Sequence, residues 1–189
     1  MKIRLTIAAA ALGVAAATML GLATALPAGA ATTVSTRASL SADSDNAFGG
    51  EFVNFNSGDC LGILGGADDA PAVQWPCDGS ANQGWTFGSE YGDDSGYYQL
   101  VNGDGQCLGV LGGSTGEGAP VYGWTCLGPT HPDQYWRKVQ SGIVPGYHYL
   151  ENLNSGLVVG VSGNSTAEGA SVVQWADQDT ANNQLWEPM

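Results

Sequence analysis

Three times in this chain a glutamine stands two places before a tryptophan: Gln83-Gly84-Trp85, Gln134-Tyr135-Trp136 and Gln184-Leu185-Trp186. These tryptophans are 51 and 50 residues apart, so the larger part of the chain is a threefold internal repeat. A period of this length constrains the fold more than composition does. Each copy is too short to bury its own apolar face, so the three must share one core. Such an arrangement points to a symmetric binding module and away from an enzyme.

Other anchors keep the same order in each copy. A second tryptophan precedes the Gln-x-Trp phrase, at Trp75, Trp124 and Trp175. Further upstream come Cys60-Leu61-Gly62-Ile63, Cys107-Leu108-Gly109-Val110 and Val158-Val159-Gly160-Val161. Turns rich in Gly, Ser and acids lie between, as in Gly112-Gly113-Ser114-Thr115-Gly116-Glu117-Gly118. Short apolar runs bounded by Gly, Asn, Asp and Pro predict strands, and no stretch carries a helical period. Twelve are expected, at 52–55, 60–64, 72–75, 85–87, 97–101, 106–111, 120–124, 136–139, 147–150, 157–161, 172–175 and 185–187. Four per copy suggest an all-β closed barrel capped by hairpins, with Trp85, Trp136 and Trp186 facing the shared core about a pseudo-threefold axis.

Residues 1–30 read as a signal peptide: Lys2 and Arg4 precede a long Ala/Leu/Val stretch, and Ala28-Gly29-Ala30 offers a cleavage site. A retained anchor over residues 5–26 is the alternative, and the polar Ala31-Thr32-Thr33 argues for cleavage. Residues 31–50 read as a flexible leader and 51–189 as the folded domain. The formal net charge is −13, and removing the signal would leave Arg37, Arg137 and Lys138 as the basic residues. So acidic a surface argues against nucleic acid and anionic membranes as partners.

All four cysteines lie in the exported part, where disulfides persist. Cys60 and Cys77 hold places equivalent to Cys107 and Cys126, and the third copy has Val158 and Asp177 at both. Loss of both members together predicts one bridge within each of the first two copies, each stabilising by about 3 kcal/mol. The spacings suit no zinc motif and no acidic loop has a known calcium spacing, so no metal or cofactor is expected.

Taken together, the Gln-x-Trp phrases, the paired cysteines and the period resemble the ricin-type β-trefoil lectin domain, in its bacterial branch. The resemblance covers residues 51–189. It implies a carbohydrate-binding module of the kind often attached to secreted polysaccharide hydrolases, with one sugar site per copy. The aromatic on which the family stacks a sugar ring matches Trp75, Trp124 and Trp175, and its polar contact before the glutamine falls on Asn82, Asp133 and Asn183. With Gln83, Gln134 and Gln184 these are the candidate carbohydrate-binding residues. The glutamines and core tryptophans also admit a purely structural reading. The family's sugar-binding Asp, two places after the first cysteine, is Gly62, Gly109 or Gly160 here. Its further Gln falls on Val73, Tyr122 and Val173, while Gln74 and Gln174 sit one place off and turn to the other face. Asp68 or Asp69, Glu117 and Glu168 in the turns are offered as replacement acceptors. The first copy, with Trp75, Asn82, Gln83 and an adjacent bridge, is the leading site.

The function expected is a secreted, extracellular lectin-like protein that binds polysaccharide or cell-surface glycan weakly and multivalently. The alternative is a trefoil that contacts a protein partner as inhibitor or adhesion factor, which the three glycines favour. An enzyme is the poorest fit. The two histidines, His131 and His148, lack a neighbouring nucleophile motif, and Asp93 and Asp94 read as solvated.

Overall fold

A computed structural model describes residues 49–189. The expected signal peptide, 1–30, and all but the last two residues of the expected leader, 31–50, lie outside them. The described residues hold thirteen strands in one antiparallel network, interrupted only by turns and short 3-10 segments. A two-residue strand, β1 (Gly49–Gly50), comes first. The first copy follows with β2 (Phe52–Asn54), β3 (Cys60–Ile63), β4 (Ala70–Trp75) and β5 (Trp85–Glu90). The second has β6 (Tyr98–Asn102), β7 (Gln106–Val110), β8 (Val121–Thr125) and β9 (Tyr135–Gln140). The third has β10 (His148–Asn152), β11 (Val158–Val161), β12 (Val172–Trp175) and β13 (Trp186–Pro188).

One strand more than expected has a simple origin. Gly50 pairs with Trp85, just as Tyr98 pairs with Trp136 and His148 with Trp186. Strands β1 and β2 are therefore the opening strand of the first copy, broken at Glu51. Pairing of β13 with β2 then joins the last copy to the first and closes the ring of outer strands. The remaining strands form three hairpins, β3–β4, β7–β8 and β11–β12, in the same register: Cys60 opposite Trp75, Cys107 opposite Trp124, Val158 opposite Trp175. Barrel, hairpins and threefold repetition make this the expected β-trefoil.

Equivalent positions fill one core. Phe52, Leu100 and Leu150 form one set, Leu61, Leu108 and Val159 a second, and Ile63, Val110 and Val161 a third, all buried. Trp85, Trp136 and Trp186 are each 0% exposed. Their indole Nε1–H groups donate to the carbonyls of Leu61, Leu108 and Val159 at 2.9, 2.8 and 3.1 Å. A buried indole thus satisfies its polar edge on the hairpin of its own copy. The fixed spacing of these residues in sequence reflects that contact.

After each of β3, β7 and β11 the chain reverses through left-handed backbone. Gly65, Gly112 and Gly163 have φ of 65°, 65° and 63°. Gly66 and Gly113 continue at 62° and 63°, and Asn164, the non-glycine residue most at ease there, takes the place at 55°. The disulfides form as expected, Cys60–Cys77 and Cys107–Cys126. No helix of the described residues is long and apolar enough to cross a membrane.

Candidate functional site

In each copy the strand that returns from the hairpin carries its tryptophan to the surface. Trp75 and Trp175 are 42% and 40% exposed, and Trp124 is half-buried with Tyr122 stacked beside it, ring centroids 5.9 Å apart. Below each tryptophan, the following loop and the Gln-x-Trp turn enclose a shallow depression. The first is lined by Trp75, Asn82 and Gln83, the second by Trp124, Asp133 and Gln134, the third by Trp175, Asn183 and Gln184. All nine candidate residues are thus brought together, in threes, as the repeat implied. The volumes are about 220, 440 and 550 Å³ for the first, second and third. The first, which the sequence put foremost, is the smallest of the three. Its loop between Trp75 and Gln83 is the shortest of the three.

The glutamines shape these depressions. Gln83 donates to the Pro76 carbonyl at 3.0 Å and accepts from the Asp78 N–H at 3.0 Å. Gln134 does the same with Thr125 and Leu127, at 3.1 and 2.8 Å, and Gln184 with Ala176 and Gln178, at 2.8 and 2.9 Å. Each is buried, so both ends of its amide are needed to satisfy the loop backbone. The asparagines face the opposite wall: Asn82 donates to the Ile63 carbonyl at 2.8 Å and Asn183 to that of Val161 at 2.7 Å. Asp133 has no amide hydrogen to give. Its side chain is 14% exposed and its Oδ1 lies 3.8 Å from His131 Nδ1. Burial pushes its carboxyl above the ordinary carboxylate range, while its own backbone N–H and His131 pull it partly back.

Glycine at the acceptor place lies close against the glutamine of its own copy. A Cβ on Gly62 would stand 2.9 Å from Gln83 Cγ, one on Gly109 3.0 Å from Gln134 Cγ, and one on Gly160 2.9 Å from Gln184 Cγ. The turn acids do not make good the loss. Asp68 accepts from Thr125 Oγ at 3.1 Å and Glu117 from the Ala176 N–H at 3.3 Å, and neither they nor Asp69 and Glu168 line a depression. The offered replacement acceptors are accordingly set aside.

Contacts between copies are the part of the site that the repeat did not reveal. A Cβ on Gly118, in the second copy's turn, would lie 3.1 Å from the Trp175 ring, and one on Gly169, in the third copy's turn, 3.0 Å from Trp75. Each of these platforms therefore rests on a glycine of its neighbour. The neighbouring turns are held by Gln174 and Gln74, both fully buried on the face away from the depressions. Gln74 donates to the Ser165 and Ala167 carbonyls at 3.1 and 2.9 Å. The second copy has Gly123 at this place, pressed against Ile63, and Trp124 leans on Tyr122 instead. A signal was present in the sequence, since Gln74 and Gln174 recur at one repeat position, but not their destination.

An exposed indole face beside fixed amide and backbone groups can stack against the C–H face of a sugar ring and hydrogen-bond its hydroxyls. The model of the ricin-type beta-trefoil lectin domain matches residues 48–186. No curated protein matches the chain. Among solved structures, the designed threefold-symmetric protein ThreeFoil is 33% identical over 74% of this chain and 96% of its own, with a TM-score of 0.66. The exo-beta-1,3-galactanase 1,3Gal43A of Clostridium thermocellum is 30% identical over 74% of this chain but only 29% of its own, with a TM-score of 0.65. The ricin B-like lectin of Macrolepiota procera, solved with lactose, shares the fold at 17% identity, covering 74% of this chain and 92% of its own, with a TM-score of 0.62. With its repeats, its core and the match over nearly all its described residues, the chain belongs to the ricin-type beta-trefoil lectin domain family.

Proposed function

We propose that this protein is secreted and binds polysaccharide or cell-surface glycan at its three depressions, weakly at each and usefully only when several engage one ligand. The observation that carries the reading is the exposure of Trp75 and Trp175 at the lip of a concave, polar-walled surface. An indole face open to solvent beside a polar-walled hollow suits the C–H face of a pyranose ring, whose hydroxyls the walls can meet. Proteins of similar structure hold sugars of this class, lactose in the Macrolepiota lectin and GalNAc in an earthworm R-type lectin. Shallow sites favour multivalency, because linked weak contacts multiply. Two disulfides suit an oxidising compartment. We assign the chain no catalysis of its own, since the region matched in the galactanase is 29% of that enzyme.

A second reading, a trefoil that binds a protein, is favoured by one observation: the acceptor place is filled by glutamine methylenes in all three copies. The disulfide-intact protein applied to glycan arrays and insoluble polysaccharides separates the two. Retention that drops in Trp75→Ala and Trp175→Ala supports the lectin. Silence across the panel, with a co-purifying protein in its place, supports the second reading.

A further inference from the structure

The layer beyond the core tryptophans, on the side away from the hairpins, differs from the rest of the interior. Side chains alternate along a strand, so the residue two places beyond an inward one also points inward. Two places past Trp85, Trp136 and Trp186 stand Phe87, Lys138 and Pro188, opposite the core residues Leu100, Leu150 and Phe52. Two places before those same core residues stand Tyr98, His148 and Gly50, opposite Trp136, Trp186 and Trp85. All six are half-buried, so this ring is where the barrel meets solvent. Strands β5, β9 and β13 begin at the depressions and run towards it, which puts the ring at the far end from them.

Two features of the ring are unlike the layer above it. Gly50 stands where Tyr98 and His148 fill the equivalent places, so β1 gives the ring no side chain beside Trp85. Lys138 brings an ammonium to the barrel end, its Nζ 5.9 Å from the Phe87 ring, which in turn meets Tyr98 edge-on at 5.9 Å. Residues 49–189 hold one arginine and one lysine. Arg137 turns outward to Glu151, 2.8 Å away, and Lys138 is the one that faces the ring.

The chain enters the fold at this ring. Gly49 pairs with Thr86 and Gly50 with Trp85, so the same ladder, continued by one residue, sets Phe48 opposite Phe87. Phe48 is two places before Gly50 and shares its inward face. The match to the family model likewise starts at residue 48. Ahead of it comes Asp43-Ser44-Asp45-Asn46-Ala47. Three residues of extended chain span about 10 Å, so an Asp45 carboxylate anchored through Phe48 comes within reach of the Lys138 ammonium. Elsewhere the protein is strongly acidic, with 18 acids against 5 bases in the whole chain, and repels a segment that carries two aspartates.

We propose that this end of the barrel is the docking surface for residues 43–48 of the same chain. The Phe48 ring takes the place left by Gly50, against Phe87, and Asp45 pairs with Lys138. An N-terminal segment held there leaves the three depressions uncovered. The inference is independent of what those depressions bind.

Hydrogen exchange on the full chain, followed amide by amide, tests it. The amides of residues 46–48 should exchange about tenfold or more slowly than those of an unstructured peptide of the same sequence. Phe48→Ser should abolish that protection, while the amides of β6 and β9 stay protected and show that the barrel is intact. Asp45→Asn and Lys138→Gln should each lower it about two- to fivefold, and the double variant no further than either alone. Exchange of residues 46–48 at the unstructured rate in the parent overturns the inference. So does an unchanged rate in Asp45→Asn, and so do effects of Asp45→Asn and Lys138→Gln that multiply, because the two side chains would then not be partners.

Discussion

Gln174, on β12 of the third copy, reaches into the second copy and donates to the carbonyls of Ser114 and Gly116, both at 2.9 Å. Its oxygen accepts from Ser155 Oγ at 2.8 Å, so a single buried side chain satisfies three groups on two elements. The turn it holds is the one whose Gly118 supports Trp175. Gln174→Ala should therefore cost about 1–3 kcal/mol in urea denaturation, the usual penalty for orphaned buried polar groups. A loss close to zero would show that water reaches these carbonyls and that the brace is dispensable.

The core tryptophans make a matching prediction at the centre of the fold. Trp136→Phe keeps an aromatic ring but removes the Nε1–H that satisfies the Leu108 carbonyl at 2.8 Å. Stability should fall by about 1–3 kcal/mol from the unpaired carbonyl, with a further loss from the smaller ring. Equal effects are expected for Trp85→Phe and Trp186→Phe, since the three contacts are equivalent.

Gly160→Asp tests whether the missing family carboxylate can simply be restored. Its Cβ would meet Gln184 Cγ at 2.9 Å, and that glutamine is fixed at both ends of its amide. The substitution should destabilise by about 1–3 kcal/mol through overpacking and give no gain in sugar binding. A stable variant that binds galactosides more tightly would contradict the packing account.

Asp133→Asn carries a stability signature separate from binding. Burial holds the folded carboxyl above its ordinary value of 3.8, so the folded protein takes up this proton more readily than the unfolded chain. Stability from this group is therefore highest when it is protonated and falls as pH rises through the interval between 3.8 and the raised value. The variant removes that loss and can donate to the Val110 carbonyl as its counterparts do. It should be more stable than the parent at neutral pH, by about 0.5–1.5 kcal/mol, with the difference shrinking in acid. Parallel denaturation at neutral and acidic pH measures this, and an advantage that grows in acid would reverse the sign.

Much of this was legible in the sequence because a repeat states which residues are equivalent. Trp85, Trp136 and Trp186 could be placed in the core, and Trp75, Asn82 and Gln83 grouped with their counterparts, from order and spacing alone. A repeat does not state which copies touch, or where. The bracing of one copy by the glutamine of the next links Gln74 to Ala167, 93 residues away, and depends on how the hairpins meet around the axis. The break at Glu51 was hidden for a related reason: Gly49 and Gly50 have no apolar side chains to mark a strand, and pair only because Trp85 and Thr86 present their backbone. Depression size escaped as well, since it does not follow loop length: the second copy has the longest loop between its surface tryptophan and its glutamine, and the third the largest depression.

The most direct test of the central claim compares retention on the best polysaccharide of the parent, the three single variants Trp75→Ala, Trp124→Ala and Trp175→Ala, and the triple variant. The core indoles provide an internal check that each variant is folded. If three weak sites act together, each single substitution should weaken retention and the triple variant should lose it almost entirely. Retention of the folded triple variant at the parental level would contradict the account, because the sugar would then be held somewhere other than the tryptophan-lipped depressions.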